Sequence, residues 1–156
     1  QLVWKLRQDP RVIVMEHTNF RYSQLADFTK GQPIFASIDV SFISLKLILP
    51  PLKQILAVGG DVVALIKPQF EASREDVGNH GIVRDRAVHE QVVQTIIDFA
   101  VATGYSVLGL DFSPIRGGEG NIEFLVHLQS VDKHAVCANT VSVAATIDAA
   151  YKDLKH

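Results

Sequence analysis

Short apolar runs alternate along this chain with stretches whose apolar residues recur every three or four positions, the signature of strands alternating with amphipathic helices. Leu2, Val3, Trp4 and Leu6 read as the last turns of a helix that Asp9-Pro10 ends. Residues 12–15 are apolar throughout and run into the polar turn Glu16-His17-Thr18-Asn19, which predicts a strand followed by a loop. Residues 34–40 follow the turn Gly31-Gln32-Pro33 and are apolar on both faces until Asp39, as a buried parallel strand requires. Residues 44–58 carry Leu45, Ile48, Leu49, Leu52, Ile55 and Leu56 at helical spacing, with Pro50 and Pro51 kinking or restarting the helix. After Gly59-Gly60, residues 61–66 form another β-branched and aliphatic run that delivers Lys67 at its end.

The second half continues the alternation. Residues 70–84 are polar and glycine-containing, a long loop of the kind kept for function. Asp85 is placed to cap a helix with Val88, Val92, Val93, Ile96, Phe99 and Ala100 on its apolar face, and Gly104 stops it. Residues 106–110 and 122–128 read as two antiparallel strands of a hairpin whose loop holds Arg116, and residues 139–154 read as a last helix. The predicted fold class is α/β, a mostly parallel Rossmann-like sheet with a C-terminal antiparallel hairpin. In such sheets ligands lie beyond the carboxyl ends of the strands. That rule gathers Glu16, Asp39 and Lys67 on one rim.

Composition narrows the function classes. With 156 residues, 47% of them hydrophobic, the chain can bury one domain core. Its longest apolar stretches, such as residues 43–49, fall far short of the roughly 20 residues of a bilayer span. Neither a membrane partner nor a signal peptide is expected. Cys137 is the single cysteine, which excludes an internal disulfide and points to a reducing, cytoplasmic setting. The six histidines show no pair at ligand spacing, so no metal site is expected. A net charge of -2 supplies no general attraction to nucleic acid, so DNA is not an expected partner and any RNA contact must be local.

The chemistry lies in three ionisable residues at or inside core strands. They stand in Ser37-Ile38-Asp39-Val40-Ser41-Phe42-Ile43-Ser44-Leu45, in Lys67-Pro68-Gln69-Phe70-Glu71 and in Gly120-Asn121-Ile122-Glu123-Phe124-Leu125. Burying such groups singly is costly, so they usually pair or work. An Asp at a strand end is as readily a helix cap, and it is the convergence of three such positions that argues for a site.

These three motifs together resemble the TlyA family, named as hemolysins but similar to FtsJ-like RNA ribose methyltransferases. The resemblance covers nearly the whole chain. It implies a class I methyltransferase fold that uses S-adenosylmethionine to methylate ribose 2'-hydroxyl groups, with ribosomal RNA or ribosomal subunits as partners. By motif, Asp39, Lys67 and Glu123 match three members of the family's Lys-Asp-Lys-Glu tetrad. Lys67 is expected to orient and deprotonate the hydroxyl, Glu123 to fix Lys67, and Asp39 to hold the methionine end of the cofactor. The resemblance further places Glu16, Asn19 and Val40 near the cofactor and turns Phe42 toward RNA. Arg116 with its glycines could touch phosphate, a reading set against that of a plain glycine-rich hairpin loop.

The resembling proteins also carry an S4-like RNA-binding domain, a Gly-rich cofactor loop and a first tetrad Lys, none of which stands in residues 1–156. The chain is therefore expected to be a partial methyltransferase domain, inactive on its own. Its sheet is expected to lack the two strands that the family places between residues 12–15 and 34–40. The alternatives are a methyltransferase acting on amino groups, since Asp39-Val40-Ser41-Phe42 loosely matches the Asp-Pro-Pro-Tyr type of motif, a membrane-active hemolysin, and a non-enzymatic remnant serving as an interaction module.

Overall fold

The computed structural model describes residues 12–16, 32–117 and 120–154, and for residues 12–16 the backbone alone. Five strands form one mixed sheet in the order β1-β2-β3-β5-β4. They are β1 (Val12–Glu16), β2 (Phe35–Asp39), β3 (Asp61–Ile66), β4 (Tyr105–Phe112) and β5 (Phe124–Ser130). The first three run parallel. The hairpin pairs antiparallel as expected, with β5 inserted between β3 and β4.

The sheet of the described residues has no gap at its centre. β1 pairs directly with β2, from Val12 opposite Phe35 to Glu16 opposite Asp39. The two strands that the resemblance places between them are absent from the described sheet, and their neighbours close the gap. Strand edges carry rows of N–H and C=O groups that need partners, and two apolar strands satisfy each other when they meet.

Among the described residues, four α-helices accompany the sheet: α1 (Leu49–Ile55), α2 (Pro68–Glu71), α3 (Arg86–Thr103) and α4 (Val143–Asp153). The helix expected over residues 44–58 is restarted by its prolines. Residues Leu45–Leu47 make a 3-10 turn, and Pro50 and Pro51 sit in the first turn of α1, where their missing N–H groups leave no helical bond unmade. The expected loop over 70–84 holds the end of α2 and two further 3-10 turns. α3 begins on Asp85, whose carboxylate accepts from the Ala87 amide, and ends on Gly104 in the left-handed region at φ 107°. α4 starts at Val143, later than expected, because the Ser142 hydroxyl caps it by accepting from the Ala145 amide.

Alternate strand residues define the core. Ala36 and Ile38 of β2, Val62, Ala64 and Ile66 of β3, and Phe124, Val126 and Leu128 of β5 are buried with apolar residues of α1, α3 and α4. Lys53 of α1 reaches the far strand ends, where Nζ donates to the Gly104 and Val131 carbonyls and the Ser130 hydroxyl at 2.6 to 2.8 Å. His89 of α3, buried, shares a 2.5 Å hydrogen bond through Nδ1 with the Tyr151 hydroxyl, which docks α4.

Candidate active site

Strand parity places the expected residues. Since side chains alternate across a sheet, the burial of Ala36, Ile38 and Val40 sends Phe35, Ser37 and Asp39 to the opposite face. The same rule applied to Val62, Ala64 and Ile66 sends Lys67 to that face too, just past the end of β3. β5 runs antiparallel with Phe124 opposite Ile66, so Glu123 falls opposite Lys67 on the same face. One rim of the sheet thus gathers all three.

Lys67 Nζ lies 2.5 Å from Asp39 Oδ1, with side chains 12% and 50% exposed respectively. It also lies 3.4 Å from the Ser41 hydroxyl. Glu123 accepts a 2.9 Å hydrogen bond from Gln69 Nε2, and the ion pair of Lys67 is with Asp39. Glu123 also sits just before β5 and not inside it, and is 6% exposed. Asp39 caps no helix. Ser44 takes that role by accepting from the Lys46 amide.

Two further contacts join the motifs. Glu71, at the end of α2, accepts from the Ser44 hydroxyl at 2.6 Å and from the Leu45 amide at 2.8 Å. Burial pushes the Glu71 carboxyl above its ordinary value, and the bonds to Ser44 and Leu45 oppose this. The clamp holds the loop after Asp39 against the segment that carries Lys67. Asn121, buried, accepts from the Val83 amide and donates to the Gly81 carbonyl, tying the long loop to the approach of β5. Gln69, Ser44, Glu71 and Asn121 all lie in or beside the motifs, yet their types alone gave no hint of these partners.

The remaining expected residues are placed as follows. The backbone of Glu16 stands beside Asp39, while Asn19 lies outside the described residues. The Val40 side chain is in the core, so only its backbone can face a ligand. Phe42 is 88% exposed, adopts a left-handed backbone at φ 65°, and its ring centroid lies 4.8 Å from that of Phe70. A bulky residue rarely takes that conformation, and such strain gathers at functional sites. Arg116 donates to the carbonyls of Gly120 and Leu154, bracing the hairpin loop on the end of α4. Arg86, one of the cations near the long loop, pairs with Glu90 and Asp148.

Asp39, Lys67 and Glu123 thus lie on one rim of a Rossmann-like sheet, at the carboxyl ends of its parallel strands. The chain belongs to the FtsJ-like methyltransferase family, whose model matches residues 1–130. It is 66% identical over 128 residues to YqxC of Bacillus subtilis (strain 168), provisionally named an rRNA methyltransferase, covering 82% of this chain and 46% of that protein. It is 36% identical over 138 residues to the Mycobacterium tuberculosis (strain ATCC 25618 / H37Rv) protein named 16S/23S rRNA (cytidine-2'-O)-methyltransferase TlyA, covering 88% of this chain and 51% of that one. A solved structure from Streptococcus thermophilus, provisionally named a hemolysin, superposes with a TM-score of 0.86 at 59% identity, covering 99% of this chain and 56% of that one. The chain spans about half the length of the curated relatives it matches.

Proposed function

We propose that this site takes part in transferring a methyl group from S-adenosylmethionine to a ribose 2'-hydroxyl of ribosomal RNA. The observation that carries the reading is the Lys67–Asp39 ion pair on the strand-end rim, with Glu123 on the same face. An alcohol is a weak nucleophile that must be aligned and relieved of its proton as it attacks; Lys67 paired with Asp39 suits the alignment, and it must first shed its own proton to accept another.

The rim suits the methionine half of the cofactor. Asp39 is half exposed, and its Oδ2 has no hydrogen-bond partner among the described residues, which leaves it free to accept from an ammonium group. When bound, the cofactor supplies an electrophilic methyl on a positive sulfur. In its neutral form Lys67 would orient the ribose hydroxyl and take up its proton as the oxygen attacks, while Asp39 would hold the amino end of the methyl donor. Phe42, exposed two residues beyond Val40, is the side chain we assign to the RNA, where an aromatic ring stacks on an unpaired base. Work on ribosomal RNA would place the protein in the cytoplasm.

The membrane-active alternative has no positive observation behind it. No helix among the described residues is long and apolar enough to cross a membrane. The test is to supply labelled methyl donor and ribosomal RNA to the chain, alone and substituted for the corresponding segment of YqxC, and to digest the product to nucleosides. Label on ribose 2'-oxygen is expected, and Lys67→Ala should lower transfer by about a hundredfold or more. Label on a base, or full transfer by Lys67→Ala, would sink this assignment.

A further inference from the structure

Lys67, Gln69 and Glu71 alternate along one short segment, and each reaches a different part of the chain. Lys67 meets Asp39, Glu71 clamps Ser44 and Leu45, and Gln69 donates to Glu123. Pro68 opens α2 and Glu71 closes it, so Gln69 is held from both sides.

Glu123 is nearly fully buried, and Gln69 is its side-chain hydrogen-bond partner among the described residues. A carboxylate in that position normally takes a cation or several donors. Being acceptor-only when ionised, it requires the amide NH2 of Gln69 to face it. This orientation leaves Gln69 Oε1 buried with no partner among the described residues, a situation native proteins rarely tolerate. Turning the amide over would set its carbonyl against the carboxylate. The orphaned oxygen therefore shows that Gln69 is oriented for Glu123 and not for its own satisfaction.

We propose that Gln69 is a positioning residue of the methyl-transfer site, fixing the Glu123 carboxyl group on the face that carries Lys67 through one amide hydrogen bond, without bringing a second cation there. The proposal rests on the reading of the site given above. A lysine or arginine at this position would also hold Glu123 but would neutralise it. A neutral donor holds Glu123 in place and adds no positive charge to the face on which Lys67 would take up the hydroxyl proton.

Two variants of the full chain, assayed alone and in the YqxC substitution, test this. Gln69→Leu should lower kcat roughly tenfold to a hundredfold, because a misplaced group loses alignment. Its KM for RNA and for the methyl donor should stay within about twofold of wild type. Gln69→Glu should behave conditionally. At acid pH two adjacent carboxyls share a proton, and the protonated one donates as the amide did, so transfer approaches that of the wild type. As pH rises the proton is lost and the variant falls away from the wild-type profile. A residue that only fills space would produce no such divergence.

Wild-type kcat in Gln69→Leu, or a wild-type pH profile in Gln69→Glu, overturns the proposal and leaves the methyl-transfer reading intact. A wild-type chain that transfers no methyl to RNA in either form overturns both. Denaturation of Gln69→Leu, Glu123→Gln and the double variant supplies a readout independent of activity. Zero coupling between the two sites would also overturn the proposal.

Discussion

Gly117 lies against the Glu123 carboxylate so closely that a Cβ there would stand 1.8 Å from Oε2 and 2.2 Å from Cδ. The need for glycine here is one of space. Gly117→Ala is expected to push Glu123 out of its seat, destabilising the fold by about 1–3 kcal/mol as overpacking does. Methyl transfer should fall with it. Urea denaturation beside the transfer assay checks both, and an alanine variant equal to wild type in each would refute the contact. Phe42 presents the opposite case, since its left-handed backbone favours glycine. Phe42→Gly is expected to keep or raise the thermal midpoint while weakening binding of single-stranded RNA, measured by fluorescence anisotropy. A lowered midpoint with unchanged binding would remove Phe42 from the RNA face.

Between elements, the decisive link is the Glu71 clamp joining α2 to the turn after β2. Burial raises the Glu71 carboxyl in the folded state, so its contribution to stability is full below the ordinary carboxylate range and is lost as pH rises through the folded value. Glu71→Gln cannot ionise. It should be about 1 kcal/mol less stable at low pH, because the amide NH2 that replaces one carboxyl oxygen cannot accept the hydrogen bond that oxygen received. Its deficit should narrow as pH rises, followed by thermal denaturation across the acid range. A deficit that widens with pH would mean the carboxylate is favoured in the fold. Periodicity made the elements around this clamp legible, because apolar runs of strand length and helical spacing are local properties. The clamp itself was not, since Ser44 and Glu71 stand 27 positions apart.

Across the whole molecule, Lys53 ties α1 to the far ends of β4 and β5. Its ammonium answers two carbonyls and a hydroxyl where sheet and helix layers meet. Burial lowers its pKa and Asp132 opposes this, the pattern of a cation held by geometry and not by an ion pair. Lys53→Met keeps the stem and removes the donors, which should cost about 2 kcal/mol in urea denaturation. A variant as stable as wild type would show that water replaces the ammonium.

Much of the rim was determined by the sequence alone. A strand that ends in Asp and a parallel strand that delivers Lys fall on one edge of an α/β sheet, because parallel strands share a direction and side chains alternate with period two; the antiparallel setting of β5 against β3 brought Glu123 to that edge. The antiparallel hairpin was likewise local. Tertiary structure decided who touches whom: Lys67 with Asp39, Glu123 with Gln69 and Gly117, and β1 directly against β2. Those choices depend on distances between segments remote in the chain. Strand patterns fix which face a residue takes, while partners on that face are settled only when desolvation, hydrogen bonding and space are satisfied together.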